Sequence, residues 1–268
     1  MDATEPALRR LATAIRLRAV AMVAPQGFGY LGQALSAAEQ DAAVYGAAYR
    51  PGTDRVVCSP GHYVIAAYAA AAETGLIDEA ALASYGQNGS SLEAIGTERS
   101  PVPEFTCGSL GQGLSAAAGF ALGDRLTGRD DVRTFAFISD GELQEGQVWE
   151  AAMFAGHHRL SRLTVLLDAN NSQVDGPVDS ITTIEPVAAK WRAFGWDAVD
   201  LDGHDVAAIA AALAAGTHRP RALICRTSTR HGLACLPPDA DGHFIKLPAD
   251  LAEAAAAELR AELAAGHD

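Results

Sequence analysis

A carboxylate, a glycine and an asparagine close two apolar runs in the middle of the chain. Asp140 and Gly141 follow Thr134-Phe135-Ala136-Phe137-Ile138-Ser139, and Asn170-Asn171 follows the run from Leu163 to Leu167. Carboxylate and amide oxygens are hard ligands, suited to Mg²⁺ or Ca²⁺ shared with a phosphate-bearing ligand. A glycine beside the acid lets the backbone approach such a ligand and offer an N–H. Taken alone, Asp140 could equally cap the helix that follows it.

Something must hold these groups together. Both apolar runs read as buried strands, and the stretch from roughly Glu145 to His158 reads as helix, which makes a βαβ unit. A right-handed crossover places both strands in one parallel sheet, with their ends on the edge where open α/β sheets bind ligands. Further strands are expected at 55–58, 196–201 and 221–226, and the two central ones at 132–138 and 162–168. Helices are expected over 3–24, 61–74, 110–126 and 249–265. Ser36 reads as the cap of another helix, with Glu39 completing a capping box. Residues 86–103 read as a long polar loop of the functional or mobile kind. No repeat or linker divides the chain. The expectation is one domain, 1–268, built as a doubly wound parallel sheet with helices on both faces, an α/β fold.

Composition narrows the partners. The chain has 268 residues, 49% of them hydrophobic, which is enough for a sizeable core. A net charge of −13 with no basic stripe argues against nucleic acid and anionic membranes. Cys58, Cys107, Cys225 and Cys235 form no C-x-x-C pair and read as reduced, mostly buried thiols. With Asp2, Glu5, Arg9 and Arg10 at the start, no signal peptide is visible, and no apolar run reaches about eighteen residues. A cytoplasmic location is the expectation.

The pattern Ser139-Asp140-Gly141 with Asn170-Asn171 resembles the thiamine diphosphate signature Gly-Asp-Gly…Asn-Asn, with Ser139 in place of the first glycine. The flanking run from Glu142 to Ala155 is similar to transketolase. Other matches follow in the family's order: Gly29 to Glu39, Ser59 to His62, Gly108 to Gly113, Asp202 to Asp205, and Cys225 to Thr227. The resemblance implies a thiamine diphosphate-binding fold, with the metal held by Asp140, Asn170 and the backbone carbonyl of Ser172. It implies cofactor contacts at Gly108, Leu110, Gly141, Glu142, Asn170 and His62. His62 and His243 would lie near the reacting carbons, and Glu145 would join a proton network at a subunit interface. Cys107 and the pair His157-His158 carry no expected role beyond packing and helix-end charge.

Three departures matter. Tyr30 stands where the family has a histidine, and Glu93 to Thr97 lacks the family's second one. Those histidines contact donor oxygens, and a site built to pair a hydroxyl discriminates strongly. Two readings stay open: an altered donor, such as a less hydroxylated ketose or a 2-oxo acid, or ketol transfer with Tyr30 or Thr97 substituting. The third departure is length. Transketolases continue into a pyrimidine-binding and a C-terminal domain, which carry the glutamate that bonds the cofactor's pyrimidine. The resemblance therefore implies the N-terminal subunit of a split transketolase. It would pair with a C-terminal subunit as an α2β2 heterotetramer and move a two-carbon ketol unit from a donor to an aldehyde. A decarboxylating carboligase and a non-catalytic regulatory subunit are the alternatives. A dehydrogenase is disfavoured because no Gly-x-Gly-x-x-Gly follows the first strand.

Overall fold

The computed structural model describes residues 4–266. The strands are β1 (Phe28–Gly29), β2 (Arg55–Pro60), β3 (Phe105–Cys107), β4 (Thr134–Ser139), β5 (Leu163–Ala169), β6 (Asp197–Asp202), β7 (Arg221–Arg226) and β8 (Ile245–Lys246). Six of them form a parallel sheet in the order β3-β2-β4-β5-β7-β6. Chain progression reverses at β2, so a crevice opens beyond the carboxyl ends of β2 and β4, the expected place for a ligand in such a sheet. The α-helices are α1 (Glu5–Val23), α2 (Leu31–Ala43), α3 (Val64–Glu73), α4 (Gln112–Leu126), α5 (Gly146–His157), α6 (Val178–Ile181), α7 (Val187–Ala193), α8 (Val206–Ala214) and α9 (Ala249–Ala265).

Alternation along the strands divides the core in two. In β4, Phe135 and Phe137 pack with residues of α1, α2 and α3, while Ala136 and Ile138 face α4, α5 and α7. In β7, Leu223 and Cys225 take the first side, Ala222 and Ile224 the second. This period of two, buried on both faces, is what a doubly wound sheet requires. The expected strands fall within a residue or two of their places, and α9 spans the expected 249–265. Position 3, where the first helix was expected to begin, lies outside the described residues.

One expectation is corrected. Ser36 caps nothing: α2 starts at Leu31 behind Tyr30, and Ser36 sits buried within it, donating to the Gln33 carbonyl and to Asp168. Every residue of α2 is buried, so its start carries none of the polar signals that mark a surface helix. An antiparallel ribbon of β1 with β8, which joins the start of α2 to the region before α9, was not anticipated. Two-residue strands over 200 positions apart show no alternation to read.

Candidate cofactor site

Asp140 begins where β4 ends, and its backbone N–H donates to the Asp168 carbonyl of β5 (3.1 Å). The side chain is 2% exposed. Oδ1 accepts from Gly141 N–H (2.8 Å) and Oδ2 from Asn171 N–H (2.5 Å). Asn171 reaches Asp140 because its φ is +57°, a left-handed conformation that asparagine tolerates better than most residues. So Asp140 does form the cap envisaged for it, yet each oxygen retains a lone pair for a further partner. Burial, then the nearby Asp168, raises its pKa to about 7.

Asn170 follows β5. Its Oδ1 accepts from Ser172 N–H (2.9 Å), and its Nδ2 donates to Asp168 Oδ2 (2.7 Å) and to the Tyr63 hydroxyl (3.0 Å). Asp168 is a buried hub that accepts from Ser36 (2.5 Å), Tyr63 (2.9 Å), Thr227 and Asn170. It thereby ties the ends of β5 and β7 to α2 and fixes which way the Asn170 amide turns. Burial pushes its carboxyl up as well.

The segment from Gly108 to Gly113 is held from behind. Glu142 is fully buried and accepts from the Ser59 hydroxyl and from Gly111 N–H (2.5 Å), and Ser59 accepts from Gly113 N–H (3.0 Å). A side chain on Gly113 would overlap Ser59, and Gly111 has φ +84°, so both glycines are required by the backbone. Glu142 offers no surface to a ligand; it clamps the loop that Gly108 and Leu110 present. Burial raises its pKa to about 7, and its Oε2 has no partner.

Asp140, Asp168 and Glu142 are thus three buried carboxyls with no lysine or arginine among their hydrogen-bond partners. Burial penalises the ionised form of each, a penalty that a cation beside them would relieve, and the free lone pairs on Asp140 and Asn170 suit a hard divalent cation. Ser172, half-buried beside Gly242, lies two residues beyond Asn170.

Around the crevice sits a ring cluster. Tyr30 lies 5.1 Å from His62, 5.7 Å from His243 and 5.1 Å from Phe244, and the two imidazoles are 4.9 Å apart. Burial, and then His243, lowers His62 to about 3; burial lowers His243, opposed by Asp241 and the Ser172 carbonyl. Both rings are neutral at physiological pH. Thr97 is engaged with Glu93 (2.5 Å), whereas the Tyr30 hydroxyl makes no hydrogen bond among the described residues. Glu145 is exposed at the start of α5, beside Gly111. Cys58 and Cys225 are buried; Cys107 and Cys235 are partly so, and all four thiols are free.

The sequence reading gave no role to Asp168, Tyr63, Gln33 or Thr227, although Gln33 and Thr227 fall within stretches similar to transketolase. For Asp168 the available signal was a charge at the end of a buried strand, which needs partners. A separate group, Glu39 with His204 and His231, also has cation-like spacing. It is already satisfied: Arg16 pairs with Glu39 (2.5 Å), and His204 Nε2 accepts from Ser228 N–H (2.9 Å), which puts the proton on Nδ1 facing Glu39 (3.1 Å). No lone pair on His204 is left for a metal there.

Residues 8–265 match the family model described as transketolase, thiamine diphosphate binding domain. The chain belongs to that family. A transketolase family protein (y4mO) of Sinorhizobium fredii is 40% identical over 90% of this chain and 91% of its own length. The 6-deoxy-6-sulfo-D-fructose transketolase subunit SqwG of a Clostridium strain is 35% identical over 95% and 97%. The crystal structure of Campylobacter jejuni transketolase superposes with a TM-score of 0.84 at 26% identity, covering 94% of this chain and 42% of that one. The chain therefore spans about two-fifths of the length of that transketolase. No helix among the described residues is long and apolar enough to cross a membrane.

Proposed function

We propose that residues 1–268 form one pyrophosphate-binding domain of a two-component transketolase that transfers a two-carbon ketol unit to an aldehyde. The observation that carries this is the meeting of Asp140, Gly141 and Asn170 at the ends of β4 and β5, beside a glycine loop clamped by Glu142. In this reading Asp140, Asn170 and the Ser172 carbonyl hold Mg²⁺ or Ca²⁺, and Gly108, Leu110 and Gly141 lie along the diphosphate. Bound thiamine diphosphate would supply the carbon nucleophile, which no protein side chain provides. The chain's own work is to anchor the diphosphate, exclude water with the Tyr30–His62–His243–Phe244 rings, and offer neutral imidazoles near the donor carbonyl.

A separate C-terminal chain would supply the pyrimidine half, in an α2β2 assembly. Two relatives of matching whole length support this, one of them named a subunit. So do the exposed apolar side chains Met153 and Phe154 of α5, 55% and 41% exposed, and Ile181 at 46%. Glu145 would join the proton network between two sites in that assembly. A cytoplasmic location accords with the four free thiols.

Tyr30 favours a second reading of the donor. An aromatic ring without a hydrogen-bonded hydroxyl faces the imidazoles where the family presents another histidine, so a less hydroxylated donor or a 2-oxo acid is also accommodated. SqwG is named for a deoxy sugar sulfonate. A calorimetric titration of thiamine diphosphate with Mg²⁺, on this chain assembled with its partner, tests the reading. Binding should need metal and vanish in Asp140→Ala. Product analysis then separates the chemistries: aldose release marks ketol transfer and CO₂ marks decarboxylation. No binding by the assembled wild type would leave a non-catalytic subunit.

A further inference from the structure

We propose that Gln33 is a positioning residue that holds His243 in the tautomer with its proton on Nε2. Gln33 lies in the first turn of α2 and is fully buried. Its Nε2 stands 3.0 Å from the His243 backbone carbonyl and 3.1 Å from His243 Nδ1. The carbonyl accepts only, so it fixes the orientation of the amide. A reversed amide would set Oε1 against the carbonyl oxygen and leave the NH₂ buried on the side where Oε1 now has no partner. With the NH₂ facing the ring, Nδ1 is the acceptor and the single proton of the neutral imidazole sits on Nε2. The proton is then available to the neighbouring Ser172 carbonyl or to a donor carbonyl oxygen at the crevice.

The surroundings make this arrangement stiff. A side chain on Gly32 would overlap the Gly242 carbonyl, so α2 and the loop bearing His243 meet backbone to backbone. Asp241 Oδ1 accepts from the backbone N–H groups of His243 (2.8 Å) and Phe244 (3.3 Å), which fixes the loop around the ring. Gln33 thus joins two segments 210 positions apart and decides whether His243 shows the crevice a donor or a lone pair.

The catalytic consequence rests on the cofactor reading above; the tautomer does not. The test is long-range ¹H–¹⁵N correlation of ¹⁵N-histidine-labelled full chain, with His243 assigned through His243→Gln. The expected wild-type pattern is a protonated Nε2 and an unprotonated Nδ1. Gln33→Met, which keeps the volume and removes the amide, should give a mixture of tautomers. A wild-type His243 protonated on Nδ1 overturns the proposal even if the variant does not fold, and an unchanged pattern in folded Gln33→Met overturns it too. In the assembled enzyme, Gln33→Met should lower kcat by up to about 10²-fold, the scale of one lost transition-state donor, with thiamine diphosphate affinity unchanged. An unaffected kcat would remove the catalytic consequence, and a parallel loss of cofactor affinity would reduce Gln33 to a packing role.

Discussion

Asp140 shows how one residue can serve both the fold and a ligand. Its two oxygens each take a backbone N–H, which holds the turn after β4, and burial beside Asp168 still penalises its charge. A pKa raised to about 7 means the fold favours the neutral acid. The associated stability is fully present below the ordinary carboxylate range near pH 4 and is lost as pH rises through 7. Glu142, also raised to about 7, acts in the same direction. Calorimetry of the cation-free chain should therefore show a melting temperature falling by a few degrees between pH 5 and 8. Asp140→Asn and Glu142→Gln should each flatten part of that slope, with the buried Asp168 and Asp41 carboxyls, raised in the same direction, contributing the remainder. A pH-independent wild type would contradict the burial argument. Mg²⁺ with thiamine diphosphate should restore stability at the alkaline end, because ligand binding adds to the folded state alone.

At the scale of elements, one buried carboxylate ties a helix to the sheet and another ties two helices together. Asp168 gathers α2, Tyr63 and the end of β7 around β5. Asp168→Ala removes the acceptor of several buried donors, at a cost of roughly 3 kcal/mol or more. Urea denaturation should register that loss, and cofactor affinity should fall with it as Asn170 is freed. Retained affinity would mean that Asp168 supports the fold without orienting Asn170. Arg16 of α1 pairs with Glu39 of α2, both side chains under 10% exposed, and also donates to the Leu35 carbonyl. Arg16→Met leaves Glu39 buried with only the imidazoles of His204 and His231 beside it, and a loss of about 3–5 kcal/mol is expected. A change under 1 kcal/mol would show that water reaches the pair.

For the whole molecule, the informative contrast lies between its edges. The carboxyl ends of the parallel strands collect acid, amide and imidazole groups, whereas the outer side of α5 carries Met153 and Phe154 in the open. If that side receives a partner chain, Phe154→Asp should leave the melting temperature of this chain nearly unchanged. It should weaken co-elution with the C-terminal subunit by tenfold or more, about 1.4 kcal/mol. Equal association of mutant and wild type would move the interface elsewhere on the surface.

The sequence by itself determined the alternation of strands and helices, the parallel doubly wound sheet, and the placement of Asp140 and Asn170 at adjacent strand ends. These are local properties: a period of two in β4 and β5, a helix between them, and the handedness of the crossover. The boundaries of α9 were equally legible, since Pro248 precedes an uninterrupted run of helix formers. Only the tertiary structure decided what the polar groups do. Ser36 has the composition of a cap, but burial of α2 on all sides turned it inward to Asp168. Glu142 matched a cofactor motif and became the clamp behind the glycine loop. Gln33 and His243, like the strands β1 and β8, meet across more than 200 positions. Backbone propensity and hydrophobic period act over neighbouring residues and can be read along the chain. A buried hydrogen bond is fixed by whichever donor and acceptor packing brings together, and burial then makes leaving either one unpaired costly.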